Sequence, residues 1–187
     1  STPGYDSAPY FTATGCISRN PETGTQNMGT YRAGLKSPTR LAVRMSARAG
    51  GAEGHQHWLL YRKRGERMPM AIILGCPPSV AYCAPQKLRM GVDEVAVAGG
   101  IVDAPINQVR GKTVDLMIPA EAEIVIEGYI DPNPETFVME GPFADYPGHE
   151  GGTPSPNPVL QIECIPHRDK PIMRGALEGA RPGFPSE

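Results

Sequence analysis

The chain has 187 residues, enough to bury a substantial core without disulfides. A net charge of −2 gives no electrostatic footprint for nucleic acid or an anionic membrane, and no apolar run approaches the length of a membrane span. Hydrophobic residues make up 40%, and 22 glycines with 21 prolines supply nearly a quarter of the chain without repeats, which points to a turn-rich, β-rich globular fold rather than disorder.

Read in chain order, residues 9–18 (PYFTATGCIS) form a strand, RNPETG a hairpin connection, and residues 26–35 (QNMGTYRAGL) a second strand. After the turn KSPT, residues 40–46 (RLAVRMS) alternate Leu41, Val43 and Met45 against Arg40 and Arg44. The first quarter therefore reads as an antiparallel meander. Residues 52–65 read as a helix with Trp58, Leu59 and Tyr61 on its buried side and His55 and His57 on its wet face. The basic run Arg62, Lys63, Arg64 is a solvated helix end rather than a binding patch. PMAIILG is apolar throughout, as a strand buried on both faces would be. PSVAYCAPQ and VDEVAVAGG read as short helices, whereas GKTVDLMIP, AEAEIVIEGYID and PVLQIECIPHRDKPIMRG read as strands. The sum is a mixed barrel or curled sheet with a few helices.

Cys16, Cys76, Cys83 and Cys164 lie far apart with no C-x-x-C spacing, the pattern of free thiols in a reducing cytoplasm rather than of disulfides or zinc. The chain opens STPGYDSAPYF, without Met or a secretory signal, and closes EGARPGFPSE. Both ends are small, polar and Pro/Gly-rich, so a piece or subunit of something larger is expected.

Three groups of residues could carry chemistry. Asn27 and Arg32 are about 16 Å apart on an extended strand, near the length of a flavin mononucleotide from phosphate to ring. In a regular strand their side chains point to opposite faces, and a bulge at Gly29 would bring them to one side. Glu94 sits at a helix start, where the macrodipole favours an acid. With the Asn27 amide oxygen it would equally suit Mn2+ or Mg2+, phosphate oxygens completing the shell. Glu140 and Asp145 flank a Gly-Pro pair in MEGPFADYPGHEGG. In isolation this is either a solvated turn or a pair of acids held for proton transfer, a neighbouring carboxylate or burial raising one pKa.

Five stretches, ISRNPETGTQNMGTYR (17–32), RLAVRM (40–45), GVDEVAVAGG (91–100), VDLMIPAEAEIVIEGYID (114–131) and EGPFADYPG (140–148), together resemble the UbiD family of prenylated-FMN-dependent decarboxylases. The most specific part is P-A-x-A-E-I-V-I-E-G followed by E-G-P-F-x-D. The resemblance implies that residues 1–187 are the central cofactor-binding domain of a longer chain, without its flanking α/β domains. The implied fold is α+β and β-rich: a split β-barrel of the FMN-binding, flavin-reductase type with a few peripheral helices.

The same resemblance implies roles. Asn27 and Glu94 match the residues that hold Mn2+, or Mg2+, against the cofactor phosphate, with K+ as a further cation. Thr30, Tyr31 and Arg32 match one cofactor-contact segment, Arg44, Met45 and Ser46 a second, and Ala49 and Gly50 a third. Arg32, Glu140 and Asp145 match the catalytic Arg–acid–acid set, with Asp145 as proton donor. The implied reaction is reversible, non-oxidative decarboxylation of an aromatic, heteroaromatic or α,β-unsaturated acid through a covalent adduct with prenylated FMN. The implied setting is a cytoplasmic homo-oligomer assembled through the absent C-terminal domain, binding neither nucleic acid nor membrane. Some relatives place a His ligand where this chain has Gly50. Thr30 replaces a common Ile and Ala144 a common Gly. The rival readings are a split-barrel FMN oxidoreductase, which has no need of Arg32, Glu140 and Asp145 together, and a non-catalytic structural subunit with a vestigial site.

Overall fold

The computed structural model describes residues 6–46, 52–144, 150–151 and 153–173. In chain order the first strands are β1 (Tyr10–Phe11), β2 (Thr14–Arg19), β3 (Gln26–Gly29), β4 (Ala33–Ser37) and β5 (Arg40–Val43). Helix α1 (Glu53–Arg64), strand β6 (Met68–Leu74) and helices α2 (Pro78–Cys83) and α3 (Glu94–Ile101) follow. The chain then forms β7 (Gln108–Arg110), β8 (Met117–Pro119), β9 (Ile124–Ile130), β10 (Val138–Glu140), β11 (Phe143–Ala144), β12 (Glu150–Gly151), β13 (Ser155–Asn157) and β14 (Val159–Cys164).

Eight strands form one antiparallel sheet in the order β1-β4-β5-β14-β9-β6-β2-β3. Strands β3 and β4 lie six strand spacings apart in that order, about 29 Å if the sheet were flat. Only Thr30, Tyr31 and Arg32 join them, a link that reaches about 14 Å at most. The sheet therefore has to curl until its two edges approach, and the link crosses the seam. Thr14 Oγ1 donates to the Tyr31 carbonyl at 2.6 Å, tying the link to β2. The result is the expected β-rich split barrel of the flavin-reductase type. The expected meander is corrected: the reading of 26–35 as one strand fails, because its halves sit near opposite ends of the sheet. The hairpins β2–β3 and β4–β5 stand as expected.

Strand β6 shows why its sequence is apolar throughout. Met68, Met70, Ile72 and Leu74 face the barrel interior with Leu41, Ile126 and Leu160. Ala71 and Ile73 face outward, under Val80 of α2, Val95 of α3 and Leu116. Two polar side chains fasten the outer hairpin β7–β8 and the loop within it. Gln26 donates to the Met117 carbonyl at 2.9 Å and accepts from Met117 N–H at 2.7 Å. Buried Glu127 accepts from Lys112 N–H, Thr113 N–H and the Thr113 hydroxyl at 2.6–2.9 Å.

Helix α1 ends on Gly65 in the left-handed region, and its last turn carries Arg62, Lys63 and Arg64, as expected of a solvated end. Trp58 and Tyr61 are buried, but Leu59 is exposed. His57 is buried instead, correcting its placement on the wet face. It shares the stripe of Gly54, Trp58 and Tyr61 at helical spacing, and its Nδ1 shares a hydrogen bond with the Ser18 hydroxyl on β2 at 2.9 Å. None of the four cysteines forms a disulfide, and burial pushes Cys16 up to about 11. Among the described residues no helix is long and apolar enough to cross a membrane.

Burial lowers the His57 pKa to about 4, so the folded chain holds it neutral, whereas the unfolded chain protonates it near 6.5. Its contribution to stability is complete above the unfolded value and is lost as pH falls from there toward 4, amounting to about 3 kcal/mol. Urea denaturation of His57→Gln should show a shallower loss of stability between pH 7 and pH 4.5 than the parent chain.

Candidate active site at the barrel seam

Side chains of the seam link diverge. Tyr31 turns toward α1 and β3, while Arg32 turns toward β10. The Tyr31 hydroxyl accepts from Gly54 N–H at 3.2 Å and lies 3.5 Å from the Asn27 amide nitrogen. Burial raises its pKa. Two glycines make room for the ring: a Cβ on Gly29 would lie 2.3 Å from the Tyr31 hydroxyl oxygen, and one on Gly54 would lie 3.0 Å from Cε2. No bulge forms at Gly29, because β3 stays in register with β2 up to it. Crossing the seam, rather than a bulge, separates Asn27 from Arg32.

Asn27 and Glu94 are both buried. Asp93 caps α3 by accepting from Val95 N–H at 2.8 Å and Ala96 N–H at 3.4 Å, which sets Glu94 in the first turn. Glu94 Oε2 accepts from Met28 N–H at 2.7 Å, so helix and strand meet beside Asn27. Burial raises the Glu94 carboxyl, with the Met28 amide opposing and the nearby Glu53 and Asp93 charges adding to the rise. Among the described residues no group of three or more His, Cys, Asp or Glu side chains is arranged to hold a metal ion.

On the other side of the link, Glu140 has no solvent exposure. Arg32 grips it bidentately, Nε donating to Oε1 at 2.8 Å and Nη2 to Oε2 at 3.0 Å. Arg44 Nη1 donates to Oε2 at 3.3 Å and to the Ser155 hydroxyl at 3.4 Å. The Arg32 guanidinium also stacks 4.8 Å over the Phe143 ring. Burial alone would raise the Glu140 carboxyl, but the Arg32 hydrogen bonds and charge, with Tyr10 and Arg44 beside it, hold it below the usual carboxylate range. Gly141 takes φ 98°, left-handed space that side chains rarely adopt, and turns the chain directly after Glu140.

A cleft of about 780 Å³ opens beside the link. Thr12, Thr14, Thr30, Ile73, Ala84 and Gln86 are among the residues lining it. Of the candidate site residues that are described, only Thr30 lines it. Met45 is buried in the barrel core near Gly54, and Ser46 is exposed at the end of that segment. Ala49, Gly50 and Asp145 lie outside the described residues. Sequence reasoning missed Thr12, before β2, and Ala84 and Gln86, after α2, which carry no motif and meet only in the folded chain. It also missed Gly54, for which a glycine inside a helical pattern was the available signal.

The seam link thus carries Arg32, which with Arg44 holds the buried Glu140, and Thr30, which lines a roomy cleft. Residues 2–181 match the UbiD family, the 3-octaprenyl-4-hydroxybenzoate carboxy-lyase Rift-related domain, and the chain belongs to this family. An uncharacterised protein of Aquifex aeolicus is 36% identical over 178 residues, covering 95% of this chain and 35% of that relative. An evolved dimeric form of the UbiD-class enzyme HmfF from Pelotomaculum thermopropionicum, in complex with prFMN, superposes with TM-score 0.87 at 31% identity, covering 97% of this chain and 41% of that one. Vanillic acid decarboxylase of Sedimentibacter hydroxybenzoicus in closed form gives TM-score 0.83 at 27% identity, covering 90% and 36%. The chain thus spans about a third of the length of the curated relatives it matches.

Gly29→Ala forces the Tyr31 ring out of its slot and should cost about 1–3 kcal/mol in chemical denaturation. Arg32→Ala leaves a fully buried carboxylate with Arg44 as its remaining arginine, and should cost about 2–4 kcal/mol at neutral pH. Because the Glu140 pKa is depressed, the stabilisation it contributes is present above its unfolded value and is lost as pH falls through the folded one. In Arg32→Ala the folded value rises toward the unfolded one, so the loss of stability on acidification should be smaller than in the parent.

Proposed function

We propose that this chain is the central cofactor-binding domain of a longer UbiD-type carboxy-lyase. The whole protein would catalyse reversible, non-oxidative decarboxylation of an aromatic, heteroaromatic or α,β-unsaturated carboxylic acid with prenylated FMN. The observation that carries this reading is the buried Glu140 held between Arg32 and Arg44 at the seam of a UbiD-family barrel. The prFMN of the HmfF complex and the activity named for the Sedimentibacter enzyme support it. We further assign the full-length protein to the cytoplasm as a homo-oligomer joined through its C-terminal domain.

When bound, prenylated FMN supplies an electrophilic carbon and the electron sink that amino-acid side chains lack. The cleft beside Thr30, at about 780 Å³, has room for such a group. Arg32 commits Nε and Nη2 to Glu140, which fixes the plane of the guanidinium and leaves the Nη1 edge for the substrate carboxylate. With a depressed pKa, Glu140 stays ionised and has no proton to give. Asp145, which the resemblance to the family casts as the proton donor, would protonate the carbon from which CO2 departs.

Asn27 and Glu94 fit a hard divalent cation. The Asn27 amide nitrogen faces the Tyr31 hydroxyl, so its carbonyl oxygen is the ligating atom. The Glu94 carboxyl is raised by burial, and a cation would reverse that shift. Mn2+ or Mg2+ would be held there against the cofactor phosphate, water completing the shell, with K+ as a further candidate on the same oxygen donors.

The test is the full-length protein purified from cells that make prenylated FMN. Cofactor absorption and mass should be present, with CO2 released from members of a panel of aryl and acrylic acids. Arg32→Ala and Asp145→Asn should each lower kcat at least about 100-fold. The double variant Asn27→Ala, Glu94→Gln should lose Mn2+ by metal analysis. Intact turnover in Arg32→Ala and Asp145→Asn would overturn the assigned roles, and retained Mn2+ in the double variant would overturn the metal site.

A further inference from the structure

The first strand of the barrel reaches the acid turn. Tyr10 on β1 pairs with Gly34 on β4, and a Cβ on Gly34 would lie 2.9 Å from Tyr10 Cε1, so the glycine lets the ring lie flat across β4. The ring packs on Phe143 at 4.6 Å between centroids, and Phe143 in turn underlies the Arg32 guanidinium. The Tyr10 hydroxyl accepts from Gly141 N–H at 3.2 Å and lies 3.1 Å from the Ser7 hydroxyl. Ser7 N–H donates to the Pro142 carbonyl at 3.1 Å. The segment from Ser7 to Phe11 is thereby stapled over the backbone that carries Glu140.

We propose that Tyr10 is a positioning residue of the reaction centre: its hydroxyl holds the Gly141 amide and faces the Glu140 carboxylate, fixing the acid against Arg32 and Arg44. The groups that face Glu140 from the surrounding elements are Arg32 on the seam link, Arg44 after β5, Ser155 through Arg44 on β13, and Tyr10 on β1. Two arginines neutralise the carboxylate, but neither constrains the turn itself. Tyr10 is the side chain that touches the turn backbone at Gly141, the residue whose φ of 98° sets the direction of the chain. Its ring and its hydroxyl thus act on both members of the Arg32–Glu140 pair, the ring through Phe143 and the hydroxyl through Gly141.

The inference deepens the decarboxylase reading, and its test is built so that the two fail separately. Tyr10→Phe keeps the ring on Phe143 and removes only the hydroxyl. In the full-length, cofactor-loaded protein, kcat should fall about tenfold with KM within about twofold, and the acid limb of kcat/KM should move to higher pH. Gly34→Ala, which displaces the ring and keeps the hydroxyl, should reproduce the fall in kcat. A second readout needs no substrate: carboxyl 13C NMR of the chain, with the Glu140 signal assigned by its disappearance in Glu140→Gln. In Tyr10→Phe that titration should move upward. If the parent releases no CO2 from any acid while the titration moves, the decarboxylase reading falls and the positioning role stands. If kcat stays within twofold of the parent, or if melting temperature drops while the Glu140 titration is unmoved, Tyr10 is structural only and the proposal is overturned.

Discussion

Three residues have to carry the chain from one edge of an eight-stranded sheet to the strand beside the other edge. A flat sheet cannot meet that constraint, so the barrel curls, and the seam it leaves is where Thr30, Tyr31 and Arg32 run. Regular strand pairing would hold such a segment in alternation between core and solvent. Freed from a ladder, the link sends Tyr31 into one buried cluster and Arg32 into another while Thr30 faces the cleft. The separation of the Asn27–Glu94 side from the Arg32–Glu140 side thus follows from a topological short circuit.

Burial then sets the electrostatics of each side. Glu94 and Glu140 are both removed from water, yet their pKa values move in opposite directions. Glu94 has backbone amide donors and acidic neighbours, so desolvation wins and its carboxyl is raised. Glu140 has two arginines, one of them bidentate, and their charge overcomes the same desolvation. Two buried carboxylates, one on α3 and one on β10, are thereby made different chemical groups, the second suited to holding an arginine in place. Their neighbours are distant in sequence: Arg32 and Glu140 are separated by 108 positions, and Tyr10 and Gly141 by 131.

Much of the local structure was legible because it obeys short-range rules. The β6 run from Met68 to Leu74 announced a strand buried on both faces, Glu94 marked a helix start, and RNPETG marked a hairpin. Where reading failed, a long-range partner decided. His57 is polar and followed by Trp58, so it reads as solvent-facing, but Ser18 on a distant strand offers it a hydrogen bond inside the barrel. Residues 26–35 have the pattern of one continuous strand, and no local signal reveals that pairing changes sheet edge at Thr30. The cleft residues Thr12, Ala84 and Gln86 belong to no motif, and only the fold brings the segment before β2 and the segment after α2 to one wall.

The sequence by itself determined the β-rich class, the family and the set of residues worth watching, because types, spacing and order survive without coordinates. Glu140 next to a glycine and a proline was ambiguous between a wet turn and a held acid. Tertiary structure decided that it has no solvent exposure and sits between Arg32 and Arg44. It decided equally that Tyr10, an unremarked aromatic of the first strand, is the residue touching that turn. The reason is physical: burial and charge pairing are properties of three-dimensional neighbourhoods, and chain order fixes a neighbourhood only where its members are a few residues apart.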